Sequence, residues 1–475
     1  MNPLRLLPLS LALSAVFCAP VHAQSLLQLV DAARGYDTVW QAAKLQLDAA
    51  SSRAEQARAG LLPSVGLSAG VSRANTEVTR PPVDFSGSAQ NVGLSASQPL
   101  YRPANRINFQ QGQRGIDVAR AQLDAATQDL LVRVSQAYFD VLAAQDTLTF
   151  VQAQKAAVSE QLASAKRNFE VGTSTVTDSR EAQARYDLVI AQEIAAENDL
   201  RVKKLALDQL VGITGTQPVA LAQPVQLPSV QPDDVAAWVQ TAQDQQPGVR
   251  QAQIALDIAR LETRKAGTGH LPTVDLQAGY NIARNPNGTV TTPGMNSRTN
   301  NASVGVALNL PLFAGFAVQN RIKETLALEE KAQADLETTR RNVAQATRAA
   351  FFGVQSGQGQ VRALEAAEAS SQSALDANKL GYQVGVRINI DVLNAQSQVY
   401  QTERDLATAR YQVLLGQLKL RQAAGVLTDD DLRMIDALTR VPDLATAAAK
   451  PVAAKTVATT APQPQAKIIA KTTKR

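Results

Sequence analysis

Four segments of the chain alternate between apolar and polar residues, which is the pattern of a β-strand with two unlike faces. In the first segment, Val65 and Leu67 alternate with serine and glycine. Each segment has the length of a tilted strand that crosses a bilayer. Polar loops rich in proline and glycine join the strands of each pair. The predicted strands cover about 62–74, 89–102, 271–284 and 301–313, and the predicted loops roughly 75–88 and 285–300.

A long helical stretch follows each strand pair, at about 103–169 and 316–382, and no proline interrupts either. At 1.5 Å per residue each helix would be roughly 100 Å long. In the first stretch apolar residues recur every seven positions in two series, which begin at Ile116 and Val134. A helix with two apolar sides needs neighbours on two sides, so a wall of helices is predicted. Shorter helices are predicted over about 25–60, 176–211, 249–267 and 388–424.

The chain consists of two similar halves. Leu62-Pro63, which opens the first strand, reappears as Leu271-Pro272. Phe169-Glu170-Val171-Gly172 similarly reappears as Tyr382-Gln383-Val384-Gly385. Because proline and glycine recur in the same order at a nearly constant offset, internal duplication is predicted. The first structural repeat covers 24–232 and the second 233–440.

Four strands are too few to close a barrel, and lipid tolerates no open strand edge. If these strands face lipid, several chains must contribute to one barrel. The alternative is a soluble four-stranded sheet with one solvent-exposed face.

Both ends of the chain differ from its body. Residues 1–23 combine Arg5, an apolar stretch and small residues before Gln24, which predicts a secretory signal peptide. Residues 441–475 are rich in Ala, Thr, Pro and Lys and are predicted to be disordered.

Composition excludes several kinds of site. The chain has one cysteine, Cys18, and two histidines, His22 and His270. After removal of the signal peptide no disulfide, thiolate metal site or cysteine nucleophile is possible. No glycine-rich phosphate loop is present, so we predict no catalytic, cofactor or metal site and no enzyme. The net charge of +5 comes largely from the basic tail, which argues against a folded nucleic-acid interface.

The Leu-Pro strand starts, the Pro-Leu-Tyr/Phe strand ends and the Val-Gly turns together resemble the TolC family of outer-membrane efflux and secretion channels. The most specific segment is 382–395, Tyr-Gln-Val-Gly-Val-Arg-Ile-Asn-Ile-Asp-Val-Leu-Asn-Ala. The resemblance implies a mostly α-helical chain with a four-stranded transmembrane β contribution. Three such chains would form a twelve-stranded outer-membrane β-barrel, continuous with a long periplasmic α-helical barrel.

The implied function is that of a passive export duct in the outer membrane of a Gram-negative cell, with most of its mass in the periplasm. It would belong to a tripartite efflux pump or a type I secretion system. A periplasmic adaptor and an inner-membrane efflux pump or ABC transporter would open the homotrimer for small molecules or proteins. The sequence leaves open the cargo, the energy source of the transporter and the role of the basic tail. The alternative is a structural, periplasm-spanning coiled-coil protein without a pore.

The resemblance also assigns site residues at the periplasmic tip. Tyr382 with Asp178, and Arg387 with Thr177, would form a closed-state latch. Asp391 would project into the tunnel entrance as an acidic ring of three carboxylates. Asn394 stands where the family has a second acidic residue, so we expect weaker block by multivalent cations. The turns at Gly172 and Gly385 would receive the adaptor.

Overall fold

The computed structural model describes residues 24–439 apart from 81, 223, 224 and 226. The predicted signal segment 1–23 and the predicted tail 441–475 lie outside the described residues. Among the described residues, no helix has both the length and the apolar character needed to span a membrane.

A four-stranded antiparallel sheet has the order β1-β2-β3-β6, and β4 and β5 form a separate two-stranded pair. Leu94 of β2 lies between Leu67 of β1 and Tyr280 of β3, so residues of the same character share a face. The strands are β1 (Ser64–Thr79), β2 (Pro82–Tyr101), β3 (Thr273–Asn285), β4 (Gly288–Thr289), β5 (Thr292–Pro293) and β6 (Ser297–Asn309).

The prediction of a loop over 75–88 is wrong. Strands β1 and β2 continue their ladder through this segment, where Asn75 pairs with Ser86 and Thr79 with Pro82. Along β1, the face that carries Val65 and Leu67 becomes polar at Asn75 and Glu77, and the apolar Val78 lies on the opposite face. The alternation that identifies a strand with two unlike faces is therefore interrupted there.

Helices make up most of the chain, as predicted. The two long ones contain 68 and 67 residues, and Pro103 occupies the first position of α3, where a missing N–H costs nothing. The helices are α1 (Leu26–Tyr36), α2 (Thr38–Ala59), α3 (Pro103–Glu170), α4 (Val176–Val211), α5 (Val235–Gln245), α6 (Pro247–Gly267), α7 (Ala317–Gln383), α8 (Asn389–Ala424) and α9 (Asp429–Asp436).

The single helix predicted over 25–60 is in fact two. Asp37 separates α1 from α2, and its carboxylate accepts a hydrogen bond from the backbone N–H of Trp40 at 2.7 Å. Arg133 of α3 donates to the same carboxylate at 2.8 Å. The aspartate therefore caps α2 and ties it to α3.

The long helices have neighbours on two sides. Near the sheet, α3 packs between α2 and α6, and α6 packs on α7. Farther from the sheet, α3 packs against α4 and α8, and α8 packs against α7. Between these two sections lies the largest apolar cluster, to which α1, α3, α4, α8 and α9 contribute.

Two carboxylates on the helices accept hydrogen bonds from neighbouring helices. Glu262 of α6 accepts hydrogen bonds from Gln111 of α3 at 2.9 Å and Arg321 of α7 at 2.8 Å. Burial raises the pKa of Glu262, but these bonds and Lys265 outweigh burial and lower the pKa to about 2.

The second group is Asp146 of α3, which accepts a hydrogen bond from the hydroxyl of Tyr411 of α8 at 2.6 Å. Burial raises the pKa of Asp146, and the bond from Tyr411 offsets only part of that rise. Tyr411 also stacks on Phe139 of α3, with ring centroids 5.8 Å apart. This contact therefore combines a buried hydrogen bond with apolar packing between α3 and α8.

Candidate functional site

Two similar turns connect α3 to α4 and α7 to α8. Gly172 has φ of 79° and Gly385 has φ of 78°, in the left-handed region that glycine adopts at least cost. The N–H of Gly172 donates to the carbonyl of Phe169, and that of Gly385 to the carbonyl of Tyr382. Both turns thus end their long helix in the same way, with a left-handed glycine directly after the C-cap valine.

The first turn is fixed further by Asp178, which lies in the first turn of α4. Its carboxylate accepts from the N–H of Thr175 at 3.0 Å, from the hydroxyl of Thr175 at 2.8 Å and from the hydroxyl of Ser174 at 2.9 Å. Burial works to raise the pKa of Asp178, but these hydrogen bonds hold it below its ordinary value.

The predicted latch residues all lie near these turns, but the contacts described for Tyr382, Asp178 and Arg387 are with other groups. The hydroxyl of Tyr382 accepts a hydrogen bond from the amide of Asn168 at 3.4 Å, while Asp178 caps its own helix. Arg387 lies 3.6 Å from Asp391, one turn away on the same chain segment. Thr177 is exposed. Within one chain, therefore, the described hydrogen bonds join neither predicted pair.

Asn389 is a tip residue that the sequence analysis missed. It is the first residue of α8 and is 0% exposed. Its side-chain carbonyl accepts a hydrogen bond from Gln161 of α3. Its side-chain N–H₂ donates to the backbone carbonyl of Asp178 of α4 at 3.4 Å. One amide thus connects three helices. Asparagine at a helix start normally indicates a cap, so only its complete burial reveals this role.

The two predicted entrance residues lie on one face of α8. Asp391 is half-buried beside Arg387, and Asn394 is exposed. The side-chain oxygen of Asn394 accepts a hydrogen bond from Arg185 of α4 at 2.6 Å. The face therefore carries two guanidinium groups in addition to the carboxylate. The Arg185 contact spans 209 positions of sequence and was not predicted.

Comparison with known proteins identifies the family. The family profile described as "Outer membrane efflux protein" matches residues 29–213 and 238–426. The chain is 34% identical over 436 residues to "Outer membrane protein TolC" of Vibrio cholerae. The alignment covers 91% of this chain and 98% of that relative. The chain belongs to the TolC family of outer membrane efflux proteins. The two matched ranges leave out most of the segment between α4 and α5.

Further relatives come from both efflux and secretion. The chain is 30% identical over 411 residues to "Alkaline protease secretion protein AprF" of Pseudomonas aeruginosa, covering 84% of each chain. The crystal structure of the outer membrane protein VceC from Vibrio cholerae matches with a TM-score of 0.71 at 20% identity, over 84% of this chain and 96% of that one.

Membership in the TolC family confirms several predictions. The protein is an outer membrane channel of the efflux and type I secretion class, and it is a transport duct rather than an enzyme. Channels of this family work with adaptor proteins and inner-membrane transporters. The structural likeness confirms the combination of a helical part with a β part.

Proposed function

We propose that three copies of this chain assemble into one passive export duct. Their sheets close into a twelve-stranded barrel in the outer membrane, with two strands from each predicted repeat. Their helices form a tunnel through the periplasm, and an adaptor and an inner-membrane transporter open it.

The observation that carries this proposal is the open sheet. Among the described strands, β1 pairs only with β2 and β6 pairs only with β3, so each chain has two unpaired edges. Hydrocarbon offers no hydrogen bonds to such edges. A β6 edge joined to the β1 edge of the next copy satisfies both.

The two faces of the sheet support the same arrangement. Leu67 on β1 is 75% exposed and Val304 on β6 is 79% exposed, on strands whose alternate residues are polar. An outward apolar face suits lipid, and a polar inner face suits a solvated cargo. At the helical end of the sheet, Tyr101, Phe313 and Phe316 are exposed, as in the aromatic girdles of membrane barrels.

The edges of the helical layer also carry exposed apolar side chains that a second copy would cover. Leu188, Val202 and Leu205 are exposed on α4. Phe352 and Leu380 are exposed on α7, at the other edge of the layer. We therefore place α4 of one copy against α7 of the next.

At the tip, the latch belongs to this proposal as a contact between copies. Arg387 and Thr177 are both exposed, so they are accessible to a neighbouring chain. Tyr382 and Asp178 flank the same turns. Gly172 and Gly385 leave open space beside them, where an adaptor hairpin docks.

Two neighbouring substitutions on β1 test the proposal. Leu67→Asp places a carboxylate on the lipid face, whereas Ser68→Asp places it on the other face of the same strand. We expect Leu67→Asp to abolish recovery from the outer membrane, and Ser68→Asp to give trimers that conduct in planar bilayers. A wild-type chain that is a water-soluble monomer without conductance would instead support the pore-less coiled-coil alternative.

A further inference from the structure

The cross-helix contact of Arg185 lies beside the proposed tunnel entrance. Its guanidinium donates to the side-chain oxygen of Asn394 at 2.6 Å. Within the described ranges of the chain, no carboxylate lies within ion-pair distance of Arg185, so no direct contact neutralises its charge there. A cleft of about 100 Å³ among α3, α4 and α8 is lined by Arg185 and by a further guanidinium, that of Arg404.

The charges around Asn394 differ from a simple acidic ring. Asp391, three residues earlier on the same face of α8, already has Arg387 at 3.6 Å. Together these four side chains contribute one carboxylate and two guanidinium groups per chain. Each chain thus adds one net positive charge, and three copies would repeat it around the axis.

We infer that Arg185 sets the ion preference of the tunnel entrance, by placing a positive charge where Asn394 replaces an acid. This inference rests on the proposed trimeric channel in which α8 lines the tunnel. Among these four side chains, an entering cation meets a guanidinium group and no carboxylate without a guanidinium partner, so anions are favoured. Weak cation block therefore depends on both the neutral Asn394 and the positive charge of Arg185.

A specific consequence separates this inference from the simpler expectation. If position 394 alone determined cation block, Asn394→Asp would create strong block. With Arg185 in place, the new carboxylate instead forms an ion pair with the guanidinium that already contacts this position. Strong block then requires the loss of Arg185 as well.

The experiment uses full-length trimers in planar bilayers. Reversal potentials in a KCl gradient measure ion preference, and a trivalent cobalt hexammine complex on the periplasmic side measures block. Three unit charges about one Debye length from the ion path change the cation-to-anion permeability ratio by roughly threefold to tenfold. We expect Arg185→Gln to raise the ratio by this amount and Arg185→Lys to retain the wild-type ratio.

For block, we expect Asn394→Asp to resemble the wild type and Arg185→Gln/Asn394→Asp to be blocked strongly. Arg180→Gln is the matched control, because it removes the same charge from α4 roughly 140° around the helix. Equal block of the single and double variants, or an equal shift in Arg180→Gln, would overturn the inference while leaving the channel proposal intact. A wild-type trimer that never conducts would overturn both.

Discussion

Asn389 gives the sharpest test of how the tip is held together. Its amide is buried at the start of α8 and bonds to Gln161 of α3 and to the backbone of Asp178 of α4. Replacement by alanine removes both bonds. We expect α8 to separate from the α3–α4 hairpin more readily in this variant, and the proposed tunnel to conduct more.

The magnitude follows from the two bonds. Each is worth about 1 kcal/mol net, so Asn389→Ala costs about 2 kcal/mol per chain. Three copies lose about 6 kcal/mol if the contacts break together. Even one third of this amount shifts an open–closed equilibrium by more than about tenfold.

The assay is single-channel conductance of purified trimers, together with uptake of a large hydrophilic antibiotic by cells. Asn378→Ala is the matched control, because among the described residues Asn378 donates only to Ala374 of its own helix, at 2.9 Å. Thermal unfolding of each variant shows whether the trimer stays intact. Wild-type conductance in an intact Asn389→Ala trimer would refute the reasoning.

Three further predictions concern stability and docking. Because the pKa of Glu262 is lowered to about 2, its ionised carboxylate stabilises the folded chain fully above the ordinary pKa of glutamate, and this stabilisation is lost as pH falls toward 2. The Glu262→Gln variant should therefore have a free energy of unfolding about 1 kcal/mol lower than the wild type at neutral pH, after allowance for solvent screening. Its melting temperature should approach that of the wild type below about pH 4. For Asp146 the sign is opposite: its raised pKa means that the wild type loses stability as pH rises above about 4, the ordinary pKa of aspartate, so Asp146→Asn should gain on the wild type as pH rises through the range in which Asp146 ionises. A constant difference across that range would contradict this assignment. Gly172→Ala strains a left-handed residue by about 1 kcal/mol and should weaken co-purification of the adaptor, whereas Gly115→Ala, in open space within α3, should not.

Much of the architecture is visible in the sequence because the strands have two unlike faces and the helices are long. Alternation around Val65 marks an apolar and a polar strand face, and the heptads from Ile116 mark helix faces that pack on neighbours; a single sequence can display both. Where such a face is interrupted, or where a stabilising partner is distant in the chain, the pattern is lost. The hairpin beyond Asn75, in which the apolar residues change face, therefore has the pattern of a loop. The break at Asp37 was missed because its stabilising partner, Arg133, is distant in the chain.

The tip was predictable only as far as local chemistry determines it. Glycine in a Val-Gly turn follows from the left-handed backbone, so Gly172 and Gly385 could be identified. The burial of Asn389 and the Arg185–Asn394 contact depend on three helices that meet only in the folded chain. No local pattern marks such a convergence.

Toward the tip, the contact between the two helical hairpins is more polar than the contacts within each of them. Within hairpins, α3 and α4 share Val158 and Val189, and α7 and α8 share Leu375 and Val399, which are buried apolar contacts. Leu393 of α8 also packs into the α3–α4 cluster, so the contact between hairpins has an apolar part.

Between hairpins, heptad-spaced amides on α3 form much of the seam toward the tip: Gln154 bonds to Ser397, Gln161 to Asn389 and Asn168 to Tyr382. Water can replace the partners of these amides as the seam parts, so each bond opposes separation by only about 1 kcal/mol. Apolar side chains that separation exposes find no equivalent partner in water. Separation at the tip should therefore occur along this mostly polar seam, at the cost of exposing Leu393, with each hairpin moving as a unit.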